Sequence, residues 1–68
     1  MSKGQQVKRE NMKKLLNLIE NNKGVSYENL EALAGFLMGL SVRTFKTYMD
    51  QLEVLDKIKQ TDGRYEVT

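Results

Sequence analysis

A chain of 68 residues holds one domain with a small core, and domains of this size usually lean on a disulfide, a metal or a partner subunit. There is no Cys and no His, which excludes disulfides, thiolate chemistry and the imidazole ligands of zinc, copper and haem sites. Eleven basic against nine acidic residues leave a formal charge of only +2, so the distribution of charge says more than its total.

That distribution is uneven. Residues 1–14 carry Lys3, Lys8, Arg9, Lys13 and Lys14 against Glu10 alone. Residues 15–40 carry Lys23 against Glu20, Glu28 and Glu31, and residues 41–68 balance. A basic first segment can meet phosphates or simply be a solvated helix face. No apolar run approaches the roughly 18 residues of a membrane span. The opening residues lack the apolar core of a signal peptide. A cytoplasmic protein with no membrane partner is expected, with residues 1–6 as a flexible N-terminus and 7–68 as one domain.

The first helix is predicted over residues 5–22. Lys8, Met12, Leu15, Leu16 and Ile19 recur at helical spacing, with the Lys8 stem able to lie along the stripe and Val7 and Leu18 at its edge. Asn21-Asn22-Lys23-Gly24 is a stop signal, with Gly24 suited to a left-handed cap. Residues 24–26 read as short and extended. Ser26 is a good N-cap for a second helix over 27–38, with Tyr27, Leu30, Leu33, Ala34, Leu37 and Met38 as its buried stripe and Phe36 on the other side. Gly39-Leu40 breaks that helix. Ser41 caps a third over 42–55, with an apolar stripe of Phe45, Tyr48, Met49, Leu52 and Leu55. Arg43, Lys46, Thr47 and Asp50 make its polar face.

The end of the chain reads as a hairpin. Residues 57–61 and 64–68 flank Asp62-Gly63, a strong two-residue turn signal. Such a loop pairs Ile58 with Val67 and Gln60 with Tyr65 on one face. On the other it sets Lys59 opposite Glu66, a favourable charge pair. The fold class expected is mainly α: three helices with a small β-hairpin.

Residues 31–48 resemble the helix-turn-helix pattern. A small residue is needed where the two helices cross, and Ala34-Gly35 supplies it. The turn needs a residue tolerant of positive φ, and Gly39 fits. Leu40 pins the turn to the core, and Phe45 anchors the second helix about five positions later. With the helix through Leu55, Ile58 and the hairpin added, the chain looks like the winged helix-turn-helix family over residues 7–68. Residues 24–26 resemble the short first strand that often pairs with the wing. Asp56 stands where that family often has glycine, and the wing is short.

The resemblance implies sequence-specific binding of double-stranded DNA, with the third helix in the major groove. Arg43, Lys46 and Thr47 would meet base edges or phosphates, with Arg43 the best candidate for a bidentate contact to guanine. Ser41 and Thr44 would lie near the backbone at the helix N-terminus, and Lys59 and Arg64 on the wing would touch sugar-phosphate. Lys57 and Lys59 have a second reading, as guards of an edge strand against aggregation. The simplest role is a small transcriptional regulator, binding as a homodimer through the first helix or through Phe36. No cofactor, metal or small-molecule ligand is expected. Nor is enzymatic activity, since the chain lacks His and Cys and is too small to enclose a convergent pocket. The competing class is a winged-helix protein-interaction module. The modest charge, the acidic residues Asp50, Glu53 and Asp56, and exposed Phe36 and Val54 favour that alternative.

Overall fold

The computed structural model of the protein describes residues 3–68, with side chains from Val7 onward. Met1 and Ser2, at the start of the expected flexible segment, lie outside the described residues. Helix α1 spans Lys3–Asn21, β1 Val25–Ser26, α2 Tyr27–Met38, α3 Val42–Val54, β2 Ile58–Thr61 and β3 Arg64–Val67. Three helices and a small antiparallel sheet therefore form the three-helix, winged helix-turn-helix architecture expected.

Local chemistry explains where each helix starts and stops. The Ser26 side chain accepts from the Asn29 N–H at 3.3 Å, and Ser41 accepts from the Thr44 N–H at 3.2 Å, so both predicted caps form. α1 is closed by Asn22, whose side-chain amide donates to the Leu18 carbonyl at 2.8 Å. α2 ends on Gly39 at φ 69°, a left-handed conformation that side chains with a Cβ resist. Past it, the Gly39 and Leu40 N–H groups donate back to Gly35 and Ala34 carbonyls at 3.1 and 3.3 Å. These bonds satisfy acceptors that the helix end would leave open.

The hairpin has the register read from the turn: Ile58 pairs with Val67, Lys59 with Glu66, Gln60 with Tyr65 and Thr61 with Arg64. Asp62 and Gly63 both take positive φ, 52° and 77°, as a type I′ turn requires. β1 adds to the far side of β3, pairing Val25 with Tyr65 and Ser26 with Arg64, so the sheet order is β1-β3-β2. The chain leaves α3 directly into β2 through Asp56, which sits at φ 58°. Asp is among the few non-glycine residues that visit this region, which accounts for its standing where glycine is often found.

The core collects one set of residues from each element. Leu15 and Ile19 come from α1, Leu30 and Ala34 from α2, Phe45, Met49 and Leu52 from α3, and Ile58 and Tyr65 from the sheet. Of the two small residues expected at the helix crossing, Ala34 is fully buried. A Cβ at Gly35 would only make an ordinary 3.6 Å contact with the Leu40 carbonyl. Three aromatic rings tie the layers together. Tyr27 meets Phe45 edge-on at a centroid distance of 5.2 Å and Tyr65 at 6.0 Å, linking α2, α3 and β3.

Two expected stripe positions are corrected. Leu37 is 58% exposed and Leu55 60%. The core-facing arc of α2 is narrower than its apolar stripe: Leu30 and Ala34 are buried, Leu33 is half-buried, and Leu37 falls on the outer edge of the last turn. Leu55 is the C-cap of α3 rather than a residue of the helix, so the backbone has already turned out of helical phase there.

Candidate nucleic-acid interface

The first turn of α3 exposes Ser41, Val42 and Arg43 on a helix whose other face is packed into the core. Its N-terminal N–H groups point away from the helix, with the partial positive charge of the helix dipole behind them. No acidic residue occupies that turn, whereas the first turn of α2 contains Glu28. α3 is held by three buried side chains, Phe45, Met49 and Leu52, which leave the opposite face to solvent.

The candidate residues sit on this surface in different states. Arg43 is exposed, and its guanidinium has no hydrogen-bond or ion-pair partner among the described residues. Thr47, one turn on, is exposed and its hydroxyl donates to the Arg43 carbonyl at 3.1 Å. Lys46 is exposed but engaged: its Nζ lies 2.9 Å from Asp50 Oδ2, one helical turn away. The hydrogen bond that Lys46 donates to Asp50, with the carboxylate charge, holds the ammonium above its usual pKa, so Lys46 is cationic throughout the physiological range.

Ser41 and Thr44 are committed to the helix itself. Ser41 Oγ accepts the Thr44 N–H and donates to Thr44 Oγ1 at 3.0 Å, and Thr44 is half-buried. Their first task is to cap α3, and the polar contacts they can still offer are few.

The hairpin candidates lie on the outer face of the wing, opposite the face of Ile58 and Tyr65 that meets the helices. Lys59 pairs with Glu66 across the strands at 3.3 Å, as the register predicts. Arg64 has a role that sequence spacing does not show. Its Nη1 donates to the Gly24 carbonyl at 2.9 Å, stitching β3 to the turn before β1, where Gly24 takes φ 79° and donates its own N–H to Tyr65. No hydrogen bond or ion pair among the described residues joins the wing cations to those of α3. Arg43, Lys46 and Thr47 are thus brought together on one helix face, and Lys59 and Arg64 form a separate pair on the hairpin.

An apolar surface adjoins the turn between α2 and α3. Phe36 is 87% exposed, and Leu37 and Val42 are also exposed. Phe36 was expected outside the core; Leu37 joins it only because of the narrow core arc of α2.

The tyrosines behind the site stay neutral to high pH. Burial pushes Tyr65 above its ordinary value of 10.0, with the Glu53 carboxylate adding to the effect. Burial acts the same way on Tyr27, reinforced by Glu31. Among the described residues there is no cluster of acidic side chains that could hold a metal ion and no helix long and apolar enough to cross a membrane.

The fold and its exposed helix define a class of architecture, a three-helix winged helix-turn-helix domain. No protein-family model, curated protein or solved structure matches the chain.

Proposed function

We propose that the domain binds double-stranded DNA sequence-specifically, with α3 in the major groove and the hairpin along the phosphate backbone. The observation that carries this reading is the α3 surface. The Arg43 guanidinium stands unpartnered in a first helical turn free of acidic residues, with Lys46 and Thr47 on the same exposed face. A guanidinium so placed presents two parallel N–H donors to guanine O6 and N7. Lys46 exchanges its Asp50 carboxylate for a phosphate. Lys59 exchanges Glu66 in the same way, Arg64 offers the wing the guanidinium N–H groups that the Gly24 carbonyl does not take, and the N–H groups around Val42 meet a phosphate at the helix end.

One such domain makes few contacts, so two copies on half-sites about one helical turn apart supply the affinity that a regulator needs. Occlusion of a promoter by this pair requires nothing beyond DNA binding. Selection from random duplexes, read with the mass of the selected complex, tests site, symmetry and stoichiometry together. Binding should weaken with salt at a log–log slope of roughly −4 to −5, for about four to six phosphate contacts. A flat salt response and no enriched sequence would refute the reading.

A second reading is favoured by one observation, the exposed apolar surface of Phe36, Leu37 and Val42 beside the same helix. Apolar side chains grouped at a turn mark a protein contact when nothing else explains them. Under that reading Phe36→Ser abolishes an interaction and leaves any DNA binding untouched.

A further inference from the structure

A second charged surface is distinct from the first turn of α3. Lys8, Arg9 and Lys13 of α1 and Lys57 just before β2 rim one groove of about 470 Å³, and no acidic residue lines it. None of the four has an ion-pair partner among the described residues. The rest of its lining is apolar: Met12 and Leu16 from α1, Leu52 from α3, and the exposed side chain of Leu55. The basic first segment of the sequence is here given a shape, because α1 brings three of its cations alongside the junction of α3 and β2.

We propose that this groove binds an acidic, amphipathic helical segment of a protein partner. Two elements contribute cations, α1 and the segment before β2, and the rest of the lining is apolar, which matches a helix carrying glutamates on either side of a leucine stripe. A phosphate backbone would meet the cations but make no use of the apolar floor. A second copy packing the same face would set four cations against four, which opposes a symmetric dimer through this surface. The groove opens near Leu55, at the far end of α3 from Ser41, roughly 20 Å away at 1.5 Å rise per residue. The groove is therefore separate from the first turn of α3, and it comes closest to the proposed duplex at Lys57, two residues before Lys59 of the wing. The proposal does not rest on DNA binding, and the two are tested by separate titrations.

The test uses amide NMR spectra of the full chain, titrated with a synthetic peptide of about four helical turns, roughly 14 residues, bearing a leucine stripe flanked by glutamates. The expected result is saturable shifts confined to the amides around Lys8, Met12, Lys13, Leu55 and Lys57. The double variant Arg9→Glu/Lys13→Glu should bind the peptide at least about tenfold more weakly, since two opposed charge contacts become repulsive. Arg43→Ala should bind it as the parent does. Leu55→Ser, at an exposed position, should also weaken binding, and it keeps the test decisive if the double variant does not fold. Equal binding of a peptide with scrambled leucine spacing would overturn the proposal, as would the absence of shifts in the groove. So would tighter occupancy of the same residues by phosphatidylglycerol vesicles or by a DNA duplex.

Discussion

Asp50→Asn isolates the electrostatics of the proposed DNA contact. In the free protein the Asp50 carboxylate holds Lys46 at 2.9 Å, with both side chains well exposed. A phosphate must displace that carboxylate to reach Lys46 and then lies near its negative charge. Replacing Asp50 by Asn removes the competitor without changing the size of the side chain. Lys46 loses the cause of its raised pKa but stays protonated near neutrality. If the change adds one full phosphate contact, the log–log salt slope should steepen by roughly 0.9. Measured from about 1 M salt, where this electrostatic advantage vanishes, that slope amounts to roughly an eightfold gain in affinity at about 0.1 M. At about 0.05 M the same arithmetic gives roughly fifteenfold. These are upper limits, because Lys46 already shares itself between carboxylate and phosphate in the parent. The assay is fluorescence anisotropy with a labelled duplex over a salt series, with Glu20→Gln on α1 as a charge-matched control. Lys46→Ala/Asp50→Asn should show the slope of the Lys46→Ala single variant plus only a small, slope-neutral gain from the lost repulsion. An Asp50→Asn variant with unchanged affinity and slope, or a control with the same gain, would refute the reasoning.

Three further outcomes are expected. Arg43→Ala should weaken binding to the selected site by about 5- to 150-fold, the equivalent of a lost bidentate base contact, and by more than Lys23→Ala, which lies off α3 beside Gly24; competition titrations compare the two. Asp56→Val should lower stability by about 1–2 kcal/mol, or roughly 5–15 °C in Tm, because a β-branched residue is forced into the left-handed region. Asp56→Gly should melt at or above the parent temperature, and a Val variant as stable as the parent would exclude the strain argument. Thermal stability should fall as pH rises above about 10, since folding holds Tyr65 and Tyr27 protonated where the unfolded chain has begun to lose those protons. Below that pH these two groups contribute no slope, and Tyr65→Phe should lessen the alkaline fall seen by calorimetry.

Where one stretch of chain fixes its own geometry, the sequence alone determined the result. Ser26 and Ser41 cap helices because a hydroxyl reaches an N–H three residues on. Asp62-Gly63 sets the hairpin register because only residues tolerant of positive φ close a type I′ turn, and that register put Lys59 against Glu66. The polar face of Arg43, Lys46 and Thr47 followed from helical spacing and the burial of Phe45, Met49 and Leu52 on the other side. Tertiary structure decided what depends on neighbours distant in the chain. Periodicity gives the width of an apolar stripe but not of the arc that its partner covers, so Leu37 and Leu55 were assigned to the core and are exposed. Spacing marks Arg64 as a free cation, but the partner that engages it, the Gly24 carbonyl, lies forty residues earlier. In the sequence Lys8, Arg9 and Lys13 belong to a basic segment that could meet phosphates or be a solvated helix face, and only packing brings Lys57 and apolar side chains into one groove with them. Charge and polarity are written residue by residue, but a concave surface exists only once the elements are packed.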